Sequence, residues 1–255
     1  MKKKILVVML AVCLALGMSG CGSGERAKKN DLAGQSLLIY CGAGMKEPFQ
    51  KIADAFKEET GCEMNVTFAN AAQIQSQIGE SKEGDFFIAG SAEELQPVSQ
   101  YISTSIDLVK HIPVLAVATG NPKGITGLED LGKPNITTVI GDPESTPIGK
   151  IAKKAFADFN IAKAVNIVAT TTTAPQLATV IAAGEADAAI VWKENCKVDG
   201  VAICDTPDML SYTKVVSSGR LNFKEDSPAA DAFSEFLVSD TAHGIWNAFG
   251  YDVVQ

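Results

Sequence analysis

The sequence has few of the residues and motifs on which most enzymes depend. Among 255 residues there are two histidines, His111 and His243, and neither stands in a metal-binding or catalytic-triad pattern. No HExxH, CxxC or GxSxG motif is present. Gly42-Ala43-Gly44 begins like a dinucleotide-binding loop, but Glu47 occupies the place of the third glycine. These absences argue against metalloenzymes, serine hydrolases and dinucleotide-dependent enzymes.

Long hydrophobic segments are also lacking. The apolar run over residues 5–16 is shorter than the roughly 20 residues that a membrane-spanning helix needs. Three lysines precede this run and small residues follow it, which is the layout of a secretory signal. A transmembrane anchor is the alternative interpretation, and the length of the run disfavours it.

The tetrapeptide Met18-Ser19-Gly20-Cys21 ends the apolar segment and resembles the bacterial lipobox. In a lipobox the chain is cut before the cysteine, which then carries a lipid. We therefore expect residues 1–20 to be a lipoprotein signal peptide and Cys21 to anchor the chain on the outer side of a cell membrane. Residues 21–34 are polar and rich in glycine and lysine, so we expect a flexible tether.

Acidic residues outnumber basic ones. Without residues 1–20 the chain has 19 basic and 30 acidic residues, a formal charge of −11, so a nucleic acid is excluded as a partner. Four cysteines lie beyond Cys21. Cys196 and Cys204 flank a turn-like stretch, and they form either a disulfide or two free thiols. About 220 residues remain to fold, which is enough for one large domain or two lobes.

From residue 36 onward a short apolar run, a loop of small or polar residues and an amphipathic helix alternate, which predicts an α/β fold. Phe49, Ile52, Ala53 and Phe56, for example, have the spacing of one helix face. The turn signal at residues 120–124 marks a first crossing between lobes. We expect one lobe to comprise residues 35–113 and 218–255, and the other to comprise residues 114–217.

Four loops each end a predicted strand and begin a predicted helix. They are residues 42–44, 70–72, 147–149 and 173–175. The carboxyl ends of strands in an open α/β sheet are where ligands bind, and the first turn of a helix has unpaired N–H groups and a partial positive charge. Loops converging from two lobes would suit a small, fully deprotonated anion. The alternative is that small residues at such junctions only permit tight turns.

At these loops the chain resembles the molybdate-binding proteins of ABC importers, and the resemblance extends from about residue 37 to residue 251. The segments that carry it lie at strand ends and helix starts. They are residues 39–44, 67–72, 77–78, 84–91, 141–149, 152–153, 188–192 and 249–251. The most specific is Gly141-Asp-Pro-Glu-Ser-Thr-Pro-Ile-Gly149.

The resemblance implies oxyanion contacts, mostly through backbone N–H groups, at five positions. They are Gly44, Ala71, Ile148, Ala174 and Trp192. No residue among them ligates the metal itself, since the metal enters only as its oxyanion.

The sequence departs from the family pattern at three of these positions. The family places hydroxyl-bearing residues where Gly44 and Ala71 stand, and often a tyrosine where Trp192 stands. Asn70 is the candidate to replace a lost hydroxyl through its side-chain amide. Trp192 donates through its indole N–H and cannot accept, which suits an anion without a proton.

The resemblance implies a two-lobed periplasmic-binding-protein type II fold, in which each lobe is a mixed, mostly parallel sheet flanked by helices. It implies a monomer without cofactor or catalysis that binds molybdate or tungstate and delivers it to a membrane permease with its ATPase. Another small anion or an organic acid is an alternative ligand. An exported enzyme acting on a phosphorylated or sulfated substrate is a rival, for which Cys41 is the only candidate thiol and no histidine is expected near the loops. A surface lipoprotein with a vestigial cleft is a third possibility.

Overall fold

The computed structural model describes residues 31–144, 146–224 and 226–254. Cys21, the expected signal peptide and most of the expected tether lie outside the described residues. The strands, in chain order, are β1 (Ser36–Gly42), β2 (Glu63–Ala69), β3 (Phe86–Ala89), β4 (Ile102–His111), β5 (Pro113–Ala118), β6 (Thr137–Gly141), β7 (Asn166–Thr171), β8 (Ala188–Trp192), β9 (Val201–Ile203), β10 (Lys214–Leu221) and β11 (Asp252–Val253).

The α-helices follow the strands as the alternation predicts. They are α1 (Lys46–Thr60), α2 (Ala71–Ser81), α3 (Pro147–Asp158), α4 (Ala174–Ala182), α5 (Pro228–Leu237) and α6 (Asp240–Phe249). Short 3₁₀ helices connect several elements, and three of them border the site described below. They are Ala92–Tyr101, Lys193–Cys196 and Pro207–Tyr212. Within the described residues, no helix is both long and apolar enough to cross a bilayer.

The strands form two mixed sheets. The six-stranded sheet has the order β11-β4-β10-β3-β1-β2, and the five-stranded sheet has the order β7-β6-β8-β5-β9. Parallel pairing joins β1 to β2 and β3, and β6 to β7 and β8. The strands near the crossings between the sheets, such as β4, β5 and β10, pair antiparallel with their neighbours. The expected fold class, two lobes each built on a mixed sheet with flanking helices, is confirmed. The expectation that the sheets are mostly parallel was wrong, because among the described strands the six-stranded sheet has two parallel and three antiparallel pairings and the five-stranded sheet has two of each.

Each lobe has its own apolar core. In the first lobe, α1 and α5 pack on one face of the six-stranded sheet, where the Phe233 ring contacts Phe56 and Phe86 with ring centres 4.9 and 5.2 Å apart. Ile74 and Ile78 of α2 are fully buried against the other face. In the second lobe, α3 and α4 bury the five-stranded sheet. Burial of such apolar side chains is the main source of stability for both lobes.

Three features differ from the elements that the sequence pattern predicts. β4 was not expected, because its alternating residues are mostly half-exposed or exposed and its hydrophobic signal is weak. The pattern over residues 92–100 predicts a helix, and the structure has a 3₁₀ helix there, Ala92–Tyr101, with Pro97 inside it. β10 lies in the six-stranded sheet over its whole length, so the expected lobe boundary between residues 217 and 218 falls inside this strand.

The four cysteines of the described residues are free thiols. Cys196 and Cys204 have separate partners, since the Cys204 thiol contacts the carbonyl of Ile125 at 3.2 Å and the Cys196 thiol contacts the carbonyl of Trp192 at 3.8 Å. Sequence analysis left open a disulfide or two free thiols for Cys196 and Cys204, and in the structure they are free thiols.

Asp130 fixes a loop of the second lobe and makes its stability acid-sensitive. Lys133 lies 2.6 Å from its carboxylate, and the N–H of Thr126 donates to it at 2.7 Å; together they lower the pKa of Asp130 to about 2. The ionised carboxylate therefore stabilises the fold above about pH 4, and this contribution is lost as the pH falls towards 2.

We expect Asp130→Asn to lower the free energy of unfolding at pH 7 by about 1 kcal/mol, a figure reduced for the solvent around the exposed Lys133. Urea unfolding at several pH values between 7 and 2 measures this. The variant should lose part of the acid dependence, whereas Glu129→Gln, at an exposed neighbouring position, should keep it. Equal acid dependence in the wild type and Asp130→Asn contradicts the assignment.

Candidate functional site

The carboxyl ends of the parallel strands open onto a shared cleft. β1, β2 and β3 end side by side at Gly42, Ala69 and Ala89, because they pair in parallel register. In the second lobe β6, β7 and β8 end in the same way, at Gly141, Thr171 and Trp192. Loops that follow both sets of strands line one cavity, described below. The strand ends of the two lobes therefore face a common space.

The start of α3 is the most tightly built of the helix starts. Thr146 caps the helix, since its hydroxyl accepts a hydrogen bond from the N–H of Gly149 at 3.1 Å. Pro147 has no N–H, and the N–H of Ile148 lies in the first turn of α3, where the helix itself supplies no acceptor. The Ile148 side chain is buried in the core of the second lobe. The backbone of this turn is thus held rigidly, with one N–H left for a ligand.

The start of α2 is a capping box. The Asn70 side chain accepts from the N–H of Gln73 at 2.9 Å, and the Gln73 side-chain oxygen accepts from the N–H of Asn70 at 3.3 Å. The side-chain oxygen and backbone N–H of Asn70 are therefore already paired. The side-chain NH₂ of Asn70 and the N–H groups of Ala71 and Ala72 remain as donors in this first turn. The replacement role expected for Asn70 is restricted to that NH₂ group.

The remaining two helix starts are more open. Gly44 is exposed in the turn before α1, and a Cβ placed on it would have no heavy atom within 4 Å. Ala174 is half-buried at the first position of α4, and the preceding Thr173 makes no side-chain cap. The Thr171 hydroxyl instead donates to the carbonyl of Thr173 at 3.0 Å. The start of α1 therefore lacks the side-chain hydroxyl that the resemblance implies at Gly44.

A cavity of about 380 Å³ lies between the lobes. Its walls come from both sheets and from the 3₁₀ helices beside them. It is lined by Gly90, Ser91, Glu94, His111, Pro147, Lys150, Ile151, Lys154, Trp192, Ser211, Tyr212 and Lys214. This volume is in the range of small-molecule sites, roughly 300–1,000 Å³.

His111 and Trp192 form the part of the cavity next to the crossing between lobes. Their rings are stacked with centres 3.6 Å apart and planes 20° apart. The Nε2 of His111 lies 2.9 Å from the Glu194 carboxylate, and its Nδ1 lies 3.4 Å from the carbonyl of Gly90. Burial, and then the Glu194 carboxylate, raise the pKa of the neighbouring Tyr251 well above its ordinary value. The His111 ring, held by Glu194 and the carbonyl of Gly90, therefore fixes the orientation of the stacked Trp192 ring.

The charges at the cavity are mixed. Lys154 pairs with Asp158 at 2.5 Å, and Lys214 pairs with Glu93 at 2.7 Å. The Lys214 contact lowers the pKa of Glu93 to about 2. Lys150 has no ion pair among the described residues. It is the cation at the cavity that remains available to an anion.

The structure places only some of the sequence-predicted site residues at this cavity. Trp192 lines the cavity, and Ile148 directly follows the lining residue Pro147. Gly44, Asn70, Ala71 and Ala174 follow strands of the same two sheets but do not line this cavity. Their contacts with an oxyanion stay a prediction.

Sequence reasoning missed several residues that line the cavity. They are Ser91, Glu94, His111, Lys154, Tyr212 and Lys214. The expectation that no histidine lies near the loops was wrong, because β4 ends beside the cleft and brings His111 into it. A signal existed for Ser91, which follows β3 at the sheet edge where β1 and β2 end.

Burial and ion pairing define the state of two further side chains, Cys41 and Lys193. Cys41, the candidate thiol of the enzyme hypothesis, is fully buried, and burial raises its pKa, which is opposite to a reactive thiol. Lys193 contacts both oxygens of Asp252 at 2.7 Å and so links the second lobe to the C-terminal strand of the first. Among the described residues, no cluster of three or more His, Cys, Asp or Glu side chains could hold a metal ion.

Comparison with known proteins agrees with this architecture. A Haemophilus influenzae protein described only as a binding protein is 33% identical over 173 residues, which cover 64% of this chain and 70% of the relative. A solved substrate-binding domain from Clostridium difficile, provisionally named for a molybdenum ABC transporter, has a TM-score of 0.74 at 23% identity and covers 86% of this chain and 99% of that one.

The sulfate-binding protein SubI of Mycobacterium tuberculosis has a TM-score of 0.69 at 17% identity, with 87% of this chain and 88% of that chain covered. At such identities these two structures show a shared fold. The model of the bacterial extracellular solute-binding protein family matches residues 37–252, which is nearly the whole described part. The chain therefore belongs to the family of bacterial extracellular solute-binding proteins.

Proposed function

We propose that this protein is the solute-binding component of an ABC importer and that it binds a tetrahedral oxyanion, molybdate or tungstate, in the cleft between the lobes. The observation that carries the proposal is that the parallel strands of both sheets end at one cleft and are followed there by helix starts. Backbone N–H groups at such starts, together with the helix dipoles, stabilise an anion without requiring a countercharge.

Local electrostatics permit an anion despite the negative net charge. Fixed N–H dipoles and the cation of Lys150 act at contact distance, whereas the surface acids are screened over a Debye length of about 8–10 Å. The fold alone does not choose among oxyanions, because proteins named for molybdenum and for sulfate share it. The choice of molybdate or tungstate rests on the residues of the helix-starting loops, above all the segment from Gly141 to Gly149.

The partners and location of the protein follow from the same proposal. The closed, liganded form would dock on a membrane permease coupled to an ATPase, as hinge closure between two lobes changes the shared surface. Lipidation of Cys21 would hold the protein outside the membrane, and residues 22–34 would allow it to reach the permease. No cofactor takes part in this role.

Calorimetric titration of the purified protein with molybdate, tungstate, sulfate and phosphate tests the ligand. We expect sub-micromolar binding of molybdate and tungstate, and much weaker binding of sulfate and phosphate, because the larger metal oxyanions reach N–H donors on both sides of the cleft. Absence of binding to all four anions contradicts the oxyanion function.

A small organic anion is the second candidate. The cavity of about 380 Å³ is larger than a four-oxygen anion fills, and Trp192, Ile151 and Tyr212 give it an apolar wall. Lys150 and the start of α3 would then bind a carboxylate or phosphate group, and the apolar wall would contact the carbon skeleton. Binding of organic phosphates or hydroxy acids in the same titrations, with none of molybdate, would favour this candidate.

A further inference from the structure

Of the described residues that line the cavity, only Glu94 is acidic. Its carboxylate accepts a hydrogen bond from the N–H of Gly90 at 2.9 Å, at the strand end of β3. The backbone carbonyl of Glu94 accepts from the Gln75 side chain of α2 at 2.8 Å, so the residue is held from both sides. A fixed carboxylate in an anion cleft requires an explanation, because it repels the ligand that the cleft otherwise attracts.

Most of the other charged groups at the cavity are paired with other residues, so they do not fully neutralise the Glu94 carboxylate. Lys214 of β10 is paired with Glu93, Lys154 of α3 with Asp158, and His111 of β4 with Glu194. Lys150 of α3 lies on the opposite lobe and has no ion pair among the described residues. The cleft therefore presents one uncompensated cation from the second lobe and one carboxylate from the first lobe.

Burial affects the charge state of this carboxylate. Desolvation raises the pKa of Glu94, while the N–H groups of Gly90 and Ser91 and the charge of His111 lower it in part. The net direction is upward, so the ionised form is less favoured here than at the surface. A dianion bound nearby would raise the pKa further, because two like charges repel.

We propose that Glu94 is a specificity-determining residue of the cleft, which weakens the binding of a fully deprotonated dianion and favours an anion that carries its own O–H or N–H donor. An ionised carboxylate only accepts hydrogen bonds, so it pairs with a protonated oxyanion such as monohydrogen phosphate and not with molybdate. Protonation of Glu94 removes the repulsion and adds a donor. This inference rests on the proposed function, since it concerns an anion bound in the same cleft.

Calorimetric titration of the wild type and Glu94→Gln with molybdate and with phosphate, at pH 6, 7 and 8, tests the proposal. We expect Glu94→Gln to bind molybdate on the order of tenfold more tightly than the wild type at pH 8. At pH 8 the ratio of molybdate affinity to phosphate affinity should be higher in the variant than in the wild type.

Glu58→Gln is the matched control, because Glu58 is an exposed glutamate on α1, and it should bind both anions as the wild type does. Thermal unfolding of each variant shows whether it is folded. Binding that is identical in Glu94→Gln and the wild type, for both anions and at each pH, overturns the proposal and leaves the oxyanion function standing. Absence of anion binding in every variant overturns the oxyanion function itself, and the role of Glu94 with it.

Discussion

Gly149→Ala is expected to lower the free energy of unfolding by about 3 kcal/mol. A Cβ on Gly149 would overlap the carbonyl oxygen of Gly141 and lie 2.5 Å from the carbonyl oxygen of Asp142. Both atoms are backbone, so no side-chain rotation relieves the overlap. The first turn of α3 would have to move away from the end of β6, and the N–H of Ile148 would move with it.

Urea unfolding measures this loss as a lower midpoint at an unchanged slope. Gly79→Ala is the matched control, since Gly79 lies inside α2 and its Cβ would meet no heavy atom within 4 Å. That variant should be more stable by about 0.5–1 kcal/mol, the ordinary gain of alanine over glycine in a helix. A wild-type midpoint for Gly149→Ala would show that α3 does not pack on β6 in this way.

Restoring the hydroxyl groups at the first two helix starts is expected to tighten oxyanion binding. Gly44→Ser and Ala71→Ser each add a donor at a position where the resemblance to molybdate-binding proteins implies one. A hydrogen bond to a charged group contributes about 1.5–3 kcal/mol, so each substitution should raise molybdate affinity at least about tenfold. The open space around Gly44 accommodates the new side chain without strain.

Gly44→Ala is the control for the first position, because it adds the same Cβ without the hydroxyl. At the second position the wild-type alanine already has the Cβ, and Ala71→Gly is the variant that removes it. Calorimetry with molybdate should show a gain only for the serine variants. Equal affinities of Gly44→Ser and Gly44→Ala would mean that the first loop does not reach the ligand. The same comparison at Ala71 locates the ligand relative to α2 independently.

Local patterns were sufficient to predict the elements that carry the helix starts. The strands before Gly42, Ala69, Gly141 and Thr171 are short apolar runs, and the helices after them have a one-sided apolar face, so each signal lies within about 15 residues. The family resemblance is concentrated at the same junctions, and the family match confirms it. The parallel pairing of these strands within each sheet then follows from the alternation.

The cavity lining could not be predicted in the same way, because it depends on contacts between distant segments. His111 enters the cleft only because β4 pairs with β10, more than 100 residues later in the chain. Glu94 stands on a 3₁₀ helix whose pattern, with Pro97 inside it, resembled that of an ordinary surface helix. Tyr212 is the last residue of the 3₁₀ helix Pro207–Tyr212, which leads into β10 of the first lobe, and it lines the cavity from there.

The position of β10 between β3 and β4 has a consequence for the order of folding. All five strands of the second sheet precede β10 in the chain, so the core of that lobe can close before β10 is in place. The first lobe cannot close until Lys214–Leu221 lies between β3 and β4, because these strands are otherwise separated by a vacant strand position. A purified chain truncated after residue 213 should therefore resist protease in the second lobe and remain cleavable in the first lobe.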